Sequence, residues 1–134
     1  RVLQRLGSRN ALIVHGLDGL DELSISAPSL VGELRDGEVR EYRLSPEDVG
    51  LSLHPASSVR ADTVEQSRAL LLAALDGSNA AARDIVAFNA GATLYVGGVA
   101  ASLADGVARA LAAIASGAAR AKLDELVRFT GQFK

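Results

Sequence analysis

The chain contains no cysteine, which excludes a disulfide framework and any thiolate metal site. Aromatic residues make up 4% of its 134 residues, although 49% are hydrophobic. The apolar content is therefore carried by Ala, Leu and Val, and the expected core is helix-rich and closely packed rather than built on large rings. Positive charge is sparse and unclustered. The lysines are only Lys122 and Lys134, the arginines are scattered, and the formal net charge is −2 with a pI near 5.6. A nucleic-acid footprint needs clustered Lys and Arg, so nucleic acid is not an expected partner. No apolar run approaches the roughly 18 residues that a membrane helix requires, and no membrane partner is expected. Arg1–Gly7 is too short and too interrupted in its apolar stretch to be a signal peptide; a cytoplasmic protein fits these absences. The same segment reads as the last turns of a helix closed by Gly7 as a C-cap. A chain that opens in mid-helix leads us to expect a piece of a longer polypeptide.

Turn residues and periodicity divide what is present. Asn10–His15 is a short apolar run between turn residues and reads as one buried strand, parallel to others outside this chain. Gly16–Leu23 is a loop with two glycines and three acids. Residues 29–44 read as a β-hairpin about Asp36-Gly37, a pair that favours a type I′ turn. That turn sets Arg35 opposite Glu38, Leu34 opposite Val39, Glu33 opposite Arg40 and Val31 opposite Tyr42. One face then offers two opposite-charge pairs, Arg35–Glu38 and Glu33–Arg40, worth a few tenths of a kcal/mol to about 1 kcal/mol each.

Ser45-Pro46-Glu47-Asp48 looks like a helix start that stops at Gly50, and residues 51–60 read as irregular. Four mostly α-helical segments follow. Thr63–Asp76 opens on a Thr63/Gln66 capping box. Asn79–Val96 has Asn79 as N-cap and an apolar stripe of Ile85, Phe88, Ala92, Tyr95 and Val96. The third is capped by Ser102 with Asp105. The last, Ala118–Phe129, gathers Leu123, Leu126 and Val127 on one side. The fold class read from this order is α/β.

Few residues suggest chemistry. Asp21-Glu22 is an adjacent acidic pair in a glycine-containing loop after a strand end, where open α/β sheets bind ligands. Two carboxylates there suit a hard cation such as Mg²⁺, which keeps several waters and uses substrate phosphates for its remaining positions. On spacing alone, two solvated acids in a surface turn would look the same. Asp18 reads as an Asx-turn residue stabilising that loop. His15, at the strand end, reads as half-buried and satisfied by backbone. His54, beside Pro55, has no partner pattern for a catalytic triad or a zinc site. Asn89 lies on the apolar side of its helix; a buried Asn needs partners, and a neighbouring loop could supply them.

Val14-His15-Gly16-Leu17-Asp18-Gly19-Leu20-Asp21-Glu22 resembles the Val-His-Gly-x-Asp-Gly-Leu-Asp-Glu segment of the anthranilate phosphoribosyltransferases. Tyr42–Leu51 is similar to that family's Tyr-x-x-x-Pro-Glu-Asp-Phe-Gly-Leu. Arg83–Val96 resembles its Arg-Asp-x-Val-x-x-Asn-Ala-x-x-x-Leu-Tyr-Val helix. Ser102-Leu103 and Ile114–Gly117 are similar to its closing helices. The resemblance runs in order along essentially the whole chain. It implies transfer of phosphoribose from phosphoribosyl pyrophosphate to anthranilate in tryptophan synthesis, in a fold like that of the pyrimidine nucleoside phosphorylases. It implies also that residues 1–134 are the C-terminal portion of the α/β domain, and that Asp21 and Glu22 bind Mg²⁺ at the donor's pyrophosphate. The full-length protein would be a homodimer through a helical domain outside this chain.

Two departures qualify the resemblance. Arg60-Ala61 stands where the family has Gly-Gly, which puts the geometry of that loop in question. The family's Gly-Thr-Gly-Gly-Asp loop, its Lys-His-Gly-Asn-Arg segment and its acceptor-binding arginine are not in this chain, so the chain alone is expected to be inactive. The competing readings are a non-catalytic nucleic-acid- or ligand-binding paralogue and a relative of the pyrimidine nucleoside phosphorylases.

Overall fold

The structure is a computed structural model and describes residues 1–133. A short helix α1 (Val2–Arg5) precedes strand β1 (Ala11–Gly16), and β2 (Ser29–Arg35) and β3 (Glu38–Leu44) form the hairpin. Two 3-10 turns, Pro46–Val49 and Ala56–Val59, lead to α2 (Val64–Asp76), α3 (Ala80–Val96), α4 (Leu103–Ala115) and α5 (Ala118–Thr130). This is the expected α/β order. None of these helices is long and apolar enough to cross a membrane.

The hairpin keeps the expected register, with Arg35 opposite Glu38 and Val31 opposite Tyr42. Its turn has the left-handed backbone at both central residues that a type I′ turn requires, with φ 52° at Asp36 and 80° at Gly37. The expected cross-strand ion pairs do not form. Arg40 instead bonds Glu38 on its own strand at 2.8 Å, and Arg35 lies 3.8 Å from Asp36 and 4.6 Å over the Tyr95 ring. Glu33 accepts from the Tyr42 and Tyr95 hydroxyls at 3.0 and 2.6 Å. Tyr95 at the end of α3 joins Tyr42 of the neighbouring strand there, so two phenolic donors reach Glu33 where a solvated guanidinium would gain little.

The strand β1 is less buried than expected. It pairs antiparallel with β2, and the sheet order is β1-β2-β3. Its other edge has no strand beside it among the described residues. It is not buried: only Gly16 is, and Ile13 keeps 62% of its surface exposed. Alternation explains this. Leu12, Val14, Val31 and Tyr42 face the helices, whereas Ile13, His15 and Leu30 face away, with Val2 and Leu3 of α1 lining the same groove.

The helices start where the capping residues predict. Thr63 accepts from the Gln66 N–H, Asn79 from Ala82 and Ser102 from Asp105. The Gln66 side chain reaches back to the Asp62 N–H at 2.8 Å. Pro46–Val49 closes as a 3-10 turn, with the Asp48 carboxylate accepting from the Ser45 N–H. Phe88 on α3, fully buried, joins Leu23, Ile25, Val31, Leu44 and Val107 in the main core. A second cluster holds Ala87, Ala110 and Ile114 between α3 and α4. Of the amphipathic face expected on α5, Leu123 is half-buried and Leu126 and Val127 are exposed.

Candidate functional site

The acidic pair sits on the segment that leaves β1. Backbone bonds tighten that segment at once: Gly16 N–H donates to the Leu20 carbonyl at 2.7 Å and Gly19 N–H to the Gly16 carbonyl at 2.9 Å. Leu17 N–H donates to the Pro28 carbonyl at 2.9 Å, tying the loop's start to its end. Asp18 turns inward. Its Oδ1 accepts from Leu20 N–H at 3.3 Å, the Asx geometry expected of it, and its Oδ2 accepts from the hydroxyls of Ser24, at 2.6 Å, and Ser26. These bonds, the Ser24 hydroxyl foremost, hold the Asp18 carboxyl below the usual aspartate range.

Beyond the pair, Leu23 is 1% exposed and inserts into the core. Its backbone is gripped by Asn89 of α3: Oδ1 accepts the Leu23 N–H at 3.0 Å, and Nδ2 donates to the Leu23 carbonyl at 3.0 Å. Nδ2 donates as well to the Ile85 carbonyl, one helical turn back, at 3.0 Å. Asn89 thus finds its partners in a neighbouring loop.

Between these anchors Asp21 and Glu22 are exposed. Among the described residues neither carboxylate enters a side-chain hydrogen bond or ion pair, so their oxygen lone pairs are free for a ligand. No group of three or more His, Cys, Asp or Glu residues that could hold a metal occurs among the described residues. Two hard oxygen donors without a closed protein cage match Mg²⁺, which takes one or two carboxylates and completes its octahedron with water and phosphate. They do not match zinc, whose sites usually supply three or four protein ligands.

His15 departs from its expected place. It is exposed on the open sheet face, with no side-chain hydrogen bond among the described residues. His54 has a partner that sequence reasoning missed. Its Nε2 is 2.9 Å from the buried Asp84 carboxylate, which Arg83 holds from the other side at 2.7 Å. The His54 N–H donates to the Ile25 carbonyl at 2.8 Å. This cluster ties the segment after the hairpin both to α3 and to the irregular stretch following the acidic pair. Only the Arg83-Asp84 dipeptide, within a segment that resembles a family motif, hinted at it. Arg60 takes ordinary extended backbone, φ −75° and ψ 134°, and pairs with Asp62 at 3.0 Å on the surface. The loop therefore needs no glycine at Arg60.

Residues 1–120 match the family described as "Glycosyl transferase family, a/b domain". The chain is 56% identical over its full length to the anthranilate phosphoribosyltransferase of Burkholderia multivorans and 55% identical to that of Burkholderia vietnamiensis. It spans 39% of the length of each. The crystal structure of anthranilate phosphoribosyltransferase from Thermus thermophilus superposes with a TM-score of 0.83 at 38% identity, covering 95% of this chain and 37% of that one. The Saccharomyces cerevisiae enzyme in complex with phosphoribosyl pyrophosphate and Mg gives a TM-score of 0.72 at 25% identity, covering 86% and 33%.

Proposed function

The chain belongs to the glycosyl transferase family, a/b domain, and on that premise we propose that it is the C-terminal part of an anthranilate phosphoribosyltransferase. The whole protein transfers phosphoribose from phosphoribosyl pyrophosphate to the amino group of anthranilate in tryptophan synthesis. The observation that carries this reading is the acidic pair of the Asp-Gly-Leu-Asp-Glu segment. Asp21 and Glu22 are exposed, have no side-chain partner among the described residues, and span the gap between two firmly anchored ends.

In this reading Asp21 and Glu22 hold Mg²⁺ against the donor's pyrophosphate. The ion, when bound, supplies Lewis-acid neutralisation of the charge that develops on the departing pyrophosphate. The chain's own residues do the placing. The Asp18, Ser24 and Ser26 network keeps a third carboxylate turned into the loop, so that it does not compete for the cation. Two carboxylates would leave the remaining positions of such a cation to water and phosphate oxygens, which would suit one that arrives with its substrate. The chain supplies the metal side of the site; the remaining donor and acceptor contacts come from the rest of the protein, and the chain alone is inactive. We read the whole protein as a cytoplasmic homodimer formed through a helical domain outside this chain.

The test is a kinetic comparison in the full-length protein, with phosphoribosyl pyrophosphate, anthranilate and a Mg²⁺ titration. Replacing both carboxylates, Asp21→Asn with Glu22→Gln, should lower kcat/KM by about 100-fold or more, several kcal/mol of lost charge stabilisation. A double variant within about twofold of wild type, with the same Mg²⁺ dependence, would sink the reading.

A further inference from the structure

We propose that Asn89 is a positioning residue for the acidic pair, acting through the backbone of Leu23. The inference rests on the reading above, that Asp21 and Glu22 hold the cation. Leu23 N–H belongs to the peptide unit that joins Glu22 to Leu23, so its bond to Asn89 Oδ1 at 3.0 Å fixes the plane of that unit. Nδ2, bonded to the Leu23 carbonyl at 3.0 Å, fixes the next one. Burial of the Leu23 side chain alone would set its depth in the core but leave the backbone free to rotate about it. The two planes flank the Leu23 Cα, so they set the Leu23 backbone and, because the Glu22 Cα lies in the first of them, the point from which the Glu22 side chain departs.

The upstream end of the pair is held independently. The Leu20 carbonyl accepts from Gly16 N–H at 2.7 Å, and Leu20 N–H donates to Asp18 at 3.3 Å. Two residues therefore span a gap whose ends belong to β1 and to α3.

The amide is itself oriented. Its second Nδ2 proton goes to the Ile85 carbonyl at 3.0 Å. Flipping it would set Oδ1 against two carbonyl oxygens and Nδ2 against an N–H. Among side chains of this size, only a carboxamide satisfies one donor and two acceptors in this arrangement. An aspartate repels both carbonyls, and a leucine leaves the Leu23 groups buried and unpaired. The positional precision of a metal ligand depends on such supporting contacts.

The test separates positioning from stability. In the full-length protein, free Mn²⁺ is counted by electron paramagnetic resonance in the presence of inorganic pyrophosphate, beside thermal unfolding of each variant. Asn89→Ala should raise the Mn²⁺ Kd by about 10-fold or more, the loss typical when a ligand's support is removed. Ile114→Ala, in the separate core between α3 and α4, should lower the melting temperature and leave the Kd within about twofold. A Kd unchanged in Asn89→Ala, or raised equally in Ile114→Ala, overturns the inference. Should Asn89→Ala not fold, Asn89→Ser carries the same expectation, because its hydroxyl bonds back within the helix and releases Leu23. The double carboxylate variant distinguishes the two levels. If it binds Mn²⁺ as wild type does, the metal reading fails and the inference with it. If it binds weakly while Asn89→Ala binds normally, only the inference fails.

Discussion

Single side chains in the acidic loop decide whether its carboxylates serve the loop or a ligand. Asp18 serves the loop: two hydroxyls and an N–H converge on it, and its carboxyl titrates below the ordinary range. A lowered folded pKa means a contribution to stability that is present above the unfolded value of about 4 and lost as pH falls through the folded value. Acid should therefore loosen this loop only below the usual aspartate range. Ser24→Ala removes the bond that lowers the Asp18 pKa most, so a carboxyl NMR titration should show that pKa rising toward its ordinary value. The unfolding free energy should fall by about 1 kcal/mol, the usual net worth of such a bond. An unmoved Asp18 titration would contradict the role given to Ser24. The Asx role of Asp18 was legible in the sequence because its bond spans two residues. The partners of Asn89 and His54 were not, because Leu23 lies 66 residues from one and Asp84 30 residues from the other. Composition and spacing identify a side chain that needs a partner without saying which distant backbone group supplies it.

Elements whose ends depend on local chemistry were legible as well. The caps at Thr63, Asn79 and Ser102 and the Asp36-Gly37 turn act within a few residues of themselves, and each formed where the sequence placed it. What a strand or helix packs against is a longer-range matter. The apolar run at Asn10–His15 reads as a buried strand, whereas in this structure one of its faces is covered and the other open. The crossing of α3 and α4 was illegible for the same reason. Gly91 and Gly106 meet there so closely that a Cβ on Gly106 would stand 2.2 Å from the Gly91 carbonyl oxygen. An alanine in a helix is favoured over glycine by about 1 kcal/mol. Here that gain is outweighed, because the obstacle is backbone and cannot rotate away. The helices would have to separate, loosening Val107, which is 2% exposed. Gly106→Ala should cost about 3 kcal/mol net, at the upper end for overpacking, measured as a lower urea midpoint with an unchanged slope. A stability equal to or above wild type would show that the two helices have room to spare.

At the scale of the whole molecule, two apolar surfaces lie without cover among the described residues. On the sheet, Ile13 and Leu30 are 62% and 44% exposed beside the unpaired edge of β1. On the C-terminal helix and its extension, Leu126, Val127, Phe129 and Phe133 are 55% to 75% exposed. Contiguous apolar surface and an open strand edge both favour association, and a net charge of −2 opposes it only weakly. The chain covers 39% of the length of its relatives, so these surfaces are available to the remainder of a longer protein. Produced as 134 residues, the chain should instead meet copies of itself. Its sedimentation coefficient should rise with protein concentration, and its thermal transition should shift with concentration, as linkage to self-association requires. The two surfaces can be told apart by charge. Ile13→Lys places an ammonium on the open sheet face and should suppress association if the sheet carries it, at little cost to folding because the position is already wet. Val127→Lys does the same for the helix. If each variant alone leaves association intact and the pair abolishes it, both surfaces serve. A monomer at every concentration, unfolding in one sharp transition that does not move, would mean that the exposed face is stable in water and that the fold is complete without a cover.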